Sequence, residues 1–440
     1  MVYTDLSSSR EGQALRRLPY ILGLALAVMS IGCPWARQDE GIVRDLIDPA
    51  LEVSHPLYYW ETENGKTSIH RIMRSTSDIN TLLWGLDRVR DVRSSRNAVY
   101  ILQDDNRDHL MISRLEKDSR MVTEARPGVD LTASERKPWT VSGNDVVAVT
   151  GVDTEGMHRL ILVTFGRKEP EEFTRAGQSG RPTITHEERE WFHSADEIGP
   201  VRLAAGGDRV ALILPLDAGS GERGLYFLDE PGASPVRVGE DPVVEMGGFS
   251  LEGLKFLATF SLEDRVDLFL IDTQSLELTR ITRVPLGYRT GSPAWHPEGR
   301  YFLYTTDFTQ DITIGSTPLS GEQLFLYSLT SRDTRRLTAY EDMTIRVDFA
   351  PNGDFLLYTS SRTFLGGLNR GLPPRRASGS AEKESGNLET WWAYYVAWDP
   401  DQFNLTRKGI LGPGDLRLLI SWTVGEEGEI GFAWGPDPQF

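Results

Sequence analysis

Seven histidines, at positions 55, 70, 109, 158, 186, 193 and 296, and a single cysteine, Cys33, are the residues of this 440-residue chain best suited to acid–base, nucleophilic or metal chemistry. None of them stands in a spacing that a familiar reaction needs. The sequence holds no His-Glu-x-x-His to seat zinc, no Gly-x-Ser-x-Gly elbow for a serine nucleophile, and no Gly-x-x-x-x-Gly-Lys loop to cradle phosphate. The run Asp104–His109 (DDNRDH) opens like a calcium loop, but His109 stands where the sharp turn needs Gly, and Leu115 where the bidentate Glu belongs. It reads as a solvated loop. His296 lies in the phrase Trp295–Gly299 (WHPEG), where Pro297 presets φ and Gly299 accepts positive φ. That phrase reads as the corner of a hairpin with a histidine in it.

Composition sets the class of protein. Apolar residues make up 39% and charged residues 25%, as in a globular chain. The net charge of −17 leaves no basic footprint for a nucleic acid, so no nucleic-acid partner is expected. One cysteine excludes an internal disulfide and a cysteine zinc cluster. Arg16 and Arg17 precede the apolar run Leu18–Gly32, which has the form of a secretory signal and is short for a membrane-spanning helix. Cys33 at the end of that run resembles the lipidated cysteine of a bacterial lipoprotein signal, although Ser30 and Pro34 depart from the usual pattern. The expected division is therefore a signal peptide over 1–32, a linker over 33–56 and a folded body over 57–440. The expected location is exported: periplasmic, or held at a membrane through a lipid on Cys33.

The elements that must position any site come from a repeat. An apolar residue placed four positions before a Gly that opens a strand recurs along the chain. Trp295 begins WHPEGRYFLYTT, Phe349 begins FAPNGDFLLYTSS, Phe249 begins FSLEGLKFLATFS, Leu203 begins LAAGGDRVALILP and Trp139 begins WTVSGNDVVAVTG. Val92 begins a weaker copy with Arg96 in place of the Gly. A second apolar strand and a polar closing strand follow each hairpin, such as LELTRIT (276–282) and DTRRLTA (333–339). Short β-rich runs separated by turn residues at roughly 50-residue spacing predict an all-β protein, a single β-propeller of four-stranded blades. The one stretch with a helical pattern, Thr185–Ile198, predicts a short helix.

Both ends add strands. Leu416–Val424 and Glu429–Trp434 read as the first two strands of a final blade, with QFNLTRK (402–408) closing the blade before it. Leu57–Met73, with Asn64-Gly65 as its turn, reads as the third and fourth. Pairing of N- and C-terminal strands closes the ring and removes the exposed sheet edges of an open one. Seven blades result, or six if the terminal hairpins pair differently.

The hairpins WHPEG and FAPNG and the closing elements TRRLT and LTRIT resemble the TolB-like, WD-type β-propeller repeat family, most closely over 247–361. The short distance from Cys33 to the first predicted strand leaves no room for the N-terminal α/β domain that TolB also carries. Strand direction alternates within a blade, so first-to-second and third-to-fourth turns, all short, are expected on one face of the disc and the long connections on the other. The long ones are Ala176–Pro200, Asp307–Glu322 and Arg362–Glu389, with the smaller Asp217–Glu222. Candidate binding residues in them are Trp191, Phe192 and His193 in one insertion, and Arg370, Arg375 and Arg376 in another, because aromatic and arginine side chains serve as binding anchors. Two functions follow as expectations. The first is a non-catalytic cell-envelope scaffold for a protein or glycan partner, needing no cofactor. The second is a metal-dependent polysaccharide lyase or hydrolase at the central channel, because some TolB-like propellers are uronate lyases whose site uses several histidines, for which His109, His186 and His193 are the available set.

Overall fold

The computed structural model describes residues 43–45, 53, 55–63, 65–72, 79–95, 98–105, 107–116, 122–127, 139–142, 144–168, 183–217, 221–308, 313–314, 317–318, 322–338, 345–350, 352–359, 389–398, 417–424 and 429–434. These form seven antiparallel sheets around a ring. The innermost strands, in ring order, are Val89–Ser94, Trp139–Val141, Val201–Leu203, Val243–Phe249, Thr290–Trp295, Ile345–Phe349 and Glu429–Trp434, which define blades one to seven. Each is followed outward by three more strands, and in blade six by a fourth, Val43–Asp45. The second strands, such as Tyr301–Thr306 and Val146–Val152, are buried almost throughout. A strand in mid-blade is covered on both faces by neighbouring blades, so its sequence reads as a continuous apolar run rather than an alternation.

The core consists of apolar layers between adjacent blades. Leu303 and Leu326 of blade five meet Ile345 and Leu357 of blade six, and Val147 and Val163 of blade two meet Tyr100 and Ile112 of blade one. Ring closure differs from the sequence expectation in its division. Blade seven takes one strand from the C-terminal end, Glu429–Trp434, and three from the N-terminal end, Leu57–Glu63, Lys66–Ile72 and Ile79–Asp87. The hairpin partner expected for Glu429–Trp434, the strand Arg417–Val424, is instead the fourth strand of blade six, where Leu419 is buried. The run 402–408, expected to fill that place, lies outside the described residues. Strand Val43–Asp45, within the segment read as linker, pairs along the outer edge of Arg417–Val424. The ring is therefore clasped at two adjacent blades.

Thr185–Ile198 is not helical. Thr183–Ser194 is the fourth strand of blade two and pairs with His158–Lys168 along its whole length. Its alternating polar run satisfies a two-residue period on an outer strand as well as it mimics a helical one. The anchor alignment also slips by two residues in the first two blades. The inner strands end at Ser94 and Val141, not at Val92 and Trp139, because the turns there are shorter: Ser142 N–H donates to Val146 O, whereas His296 N–H donates to Tyr301 O. A two-residue slip keeps each side chain on its face, so the blades were still legible.

Candidate functional site in the central channel

The residues singled out in the sequence are scattered. Trp191 is buried between blades two and three against Val146, Leu160, Ile198 and Leu212. Phe192 is half-buried beside it, and His193 is exposed, its Nδ1 2.9 Å from Glu190 Oε1. Arg159 joins that surface pair, donating to Glu190 at 2.7 Å and to Asp153 at 2.6 Å. Burial opposes ionisation of Glu190, but the bonds from His193 and Arg159 outweigh it and hold the carboxyl below its ordinary range. Arg370, Arg375, Arg376 and Cys33 lie outside the described residues. His186 and His193 sit seven residues apart on one strand, which separates them by roughly 23 Å. The link from Lys168 to Thr183 joins a third strand to a fourth, so this insertion emerges on the face of the short first-to-second turns, opposite the other long connections. The turn at 64–65 joins second to third strand and lies with those other connections.

His296 is buried. Its Nδ1 accepts from Glu298 N–H at 3.3 Å, and its ring packs edge-on against Tyr301 and Phe349. Burial lowers its pKa despite the nearby carboxylates of Glu298 and Asp354, which favours the neutral ring. The side chain locks a turn against blade six.

A charged cluster assembles instead at the ring axis. Counted from the strand ends, Arg93, Arg202 and Asp348 occupy the same penultimate position on the inner strands of blades one, three and six. In that row the other blades contribute small side chains: Thr140, Gly248, Ala294 and Ala433. Arg93 interacts electrostatically with Arg202, two blades away, and with Asp348, two blades away in the other direction. Inner strands of non-adjacent blades face one another only across the central channel, so these interactions run across it.

Burial pushes Arg202 down to about 10, with Arg93 adding repulsion and Glu245 opposing both. Asp348 is pushed up to about 7, mainly by burial, against the pull of Arg93 and of the Phe349 N–H. Tyr358 is raised well above its ordinary range by burial and by Asp348. Arg93 is anchored: its Nε donates to Asp91 Oδ2 at 3.1 Å, and its guanidinium lies over the Trp139 ring at 5.7 Å.

Next to this row, Ser292 occupies a bulge in the inner strand of blade five with φ of 47°, a left-handed conformation that is strained for a residue other than glycine. That conformation directs its N–H to Glu245 Oε2 at 2.8 Å, its hydroxyl to Ile345 O at 3.3 Å, and lets the hydroxyl accept from Arg346 at 3.2 Å. Ile345 N–H in turn donates to Glu322 Oε2 at 2.8 Å. Burial raises the Glu322 pKa in spite of that bond and of Arg346. Among the described residues no group of three or more His, Cys, Asp or Glu side chains is placed to hold a metal ion.

Sequence reasoning passed over this cluster because it looked in the insertions. The signal was present: Arg202 and Asp348 immediately precede the anchors Leu203 and Phe349, charges on short inner strands. What the sequence did not carry was the ring geometry that brings blades one, three and six together.

No family model matches the chain, and no curated protein matches it. Among solved structures, oligogalacturonate lyase from Vibrio parahaemolyticus is similar over 88% of this chain and 92% of that one, with 8% identity and a TM-score of 0.50. TolB from Acinetobacter baumannii covers 98% of this chain and 74% of its own, with 10% identity and a TM-score of 0.43. A putative TolB from Agrobacterium tumefaciens covers 87% and 100%, with 11% identity and a TM-score of 0.41. At these identities the likeness is one of fold. The closed ring of seven four-stranded antiparallel blades itself describes the chain as a seven-bladed β-propeller.

Proposed function

We propose that the chain is an exported β-propeller of the cell envelope that acts as a non-catalytic scaffold for a protein or glycan partner. The observation that carries this reading is the long hairpin of blade two. Phe165–Lys168 pairs with Thr183–His186 beyond the end of Val146–Val152, so the hairpin stands out from the blade. Thr185–Glu190 are exposed along it. A rigid ring with one projecting, side-chain-rich hairpin suits presentation to a partner. Export is supported by the arginine pair and apolar run before Cys33, and anchoring by the cysteine itself.

Photo-crosslinkers placed at Glu188 and His193 of the protein in its own envelope fraction test the scaffold. The same defined partner is expected from both positions, and none from a crosslinker at Glu298. Mass spectrometry of the mature N-terminus tests export and lipidation; a diacylglyceryl Cys33 is expected. Because the fold also occurs in a protein named oligogalacturonate lyase, purified protein is assayed for polygalacturonate cleavage with manganese added. Turnover there replaces the scaffold reading with the enzymatic one.

A further inference from the structure

Of the three channel arginines, Arg93 is ion-paired to Asp91, whereas Arg202 and Arg346 have no carboxylate within ion-pair distance among the described residues. Arg90, Arg114, Arg159, Arg209, Arg223 and Arg280 each lie within ion-pair distance of a carboxylate. Arg202 makes one hydrogen bond, to the carbonyl of its neighbour Val201 at 3.1 Å, and no carboxylate lies within ion-pair distance among the described residues. A guanidinium carries five N–H donors, so most of its capacity is unused. Arg346 donates to the Ser292 hydroxyl and lies within electrostatic reach of Glu322, with no carboxylate at ion-pair distance among the described residues. The acidic groups nearest them are engaged by backbone: Glu245 by Ser292 N–H, and Glu322 by Ile345 N–H.

Arg93 and Arg202 repel one another across the channel, and an anion between them relieves that repulsion. In the other four blades the same row holds the small residues Thr140, Gly248, Ala294 and Ala433, so no further charge stands in it. Planar guanidinium forks match carboxylate and phosphate oxygens in bidentate fashion.

We propose that Arg93, Arg202 and Arg346 form a binding site in the central channel for a small oxyanion, carboxylate or phosphate. Arg202 and Arg346 supply the unengaged N–H donors. Arg93, fixed by Asp91 and the Trp139 ring, supplies charge from blade one, two blades from each of them. This site is independent of the partner surface on blade two, and either stands if the other fails.

Isothermal titration of the full chain with citrate, inorganic phosphate and glucuronate, at low salt, tests the site. At least one is expected to bind; citrate or glucuronate alone marks a carboxylate ligand, and phosphate a phosphoryl one. Arg202→Met is expected to weaken that binding about tenfold or more, the loss expected of a charge-assisted hydrogen bond. Arg346→Met, at an exposed position, is the companion variant should Arg202→Met fail to fold, and is expected to weaken binding in the same direction. Added sodium chloride is expected to weaken it further. Absence of binding by all three probes, or equal binding by the wild type and a folded arginine variant, overturns the proposal.

Discussion

The indole N–H of Trp295 donates to the backbone carbonyl of Gly248 at 2.9 Å, tying the inner strand of blade five to that of blade four. Trp434 repeats the arrangement two blades on, donating to the carbonyl of Asp348 at 3.0 Å. Each tryptophan is the last residue of its inner strand, and each acceptor the penultimate residue of the strand before. Trp295 and Trp434 are therefore stitches between blades. Trp295→Phe keeps an aromatic ring and removes the donor, so it is expected to cost about 1 kcal/mol of stability for the hydrogen bond, with a further loss for the volume removed. Urea denaturation measures it; a variant as stable as the wild type denies the stitch any energetic role.

The closing element of the blade has an equally local explanation. In blade four the hydroxyl of Thr282 accepts from Leu268 N–H at 2.8 Å and donates to the fully buried Asp267 at 3.0 Å. In blade five Thr338 accepts from Leu324 N–H at 2.9 Å and donates to Gln323 at 3.3 Å. Thr282→Val keeps the shape and leaves a buried N–H unpaired and a carboxylate short of one donor, an expected loss of about 1–3 kcal/mol. Thr338→Val is expected to cost less, since its acceptor is a neutral amide. Matched denaturation curves decide the order, and the reverse order contradicts this account.

The architecture was legible because its determinants are local. Turn residues, apolar second strands and the threonine of the closing strand repeat in sequence, and each works within its own blade or against the next. Closure was misread at one strand: Leu57–Glu63 pairs beside Glu429–Trp434 as expected, but Arg417–Val424, expected on its other side, completes blade six, and strand patterns alone do not say to which blade an end strand belongs. Trp191 looked like an exposed anchor because its neighbours His186–Glu190 are polar; only the packing of blade three onto blade two covers it. The channel cluster depends on contacts between residues more than a hundred positions apart, Arg93 with Arg202 and with Asp348, for which spacing carries no signal.

Between blades one and two lies a buried charge network. Arg114 is 2% exposed, lies 3.2 Å from Asp145 and donates to the Tyr100 hydroxyl at 3.2 Å. Ser95 donates to the other oxygen of Asp145. Arg114→Met is expected to cost about 3–5 kcal/mol, because it strands a buried carboxylate, whereas Arg114→Met with Asp145→Asn together is expected to recover part of that loss. Additive losses in the double variant show that the two side chains do not act as a pair.

The Gly353 turn of blade six rests on His296. Gly353 has φ of 98°, which side-chain-bearing residues rarely adopt, and a Cβ there meets the imidazole Nε2 well inside contact distance. Gly353→Ala is expected to destabilise by about 1–3 kcal/mol through backbone strain and overpacking. Adding His296→Ala is expected to relieve the overpacking share and leave the strain, so the double variant is more stable than the sum of the two single losses predicts. Strict additivity, measured by thermal or urea unfolding, separates the two residues and removes His296 from its turn-locking role.

Asp348 gives the fold an acid preference. Its pKa lies at about 7 in the folded chain, against an ordinary 3.8, chiefly through burial. At a pH between those values the folded chain holds a proton that the unfolded chain has released, so stability falls as pH rises across that window and the full contribution is present only below it. Glu322, raised in the same direction, adds to the trend. The sign is opposite to that of carboxylates held ionised by partners, such as Asp105 and Asp153, whose pKa values are lowered. Asp348→Asn keeps the backbone acceptor for Trp434 and removes the titration. Its unfolding midpoint, followed from about pH 4 to about pH 7, is expected to fall less steeply than that of the wild type, with the largest gain at the neutral end. An unchanged slope places the Asp348 carboxyl in water and takes it out of the channel cluster.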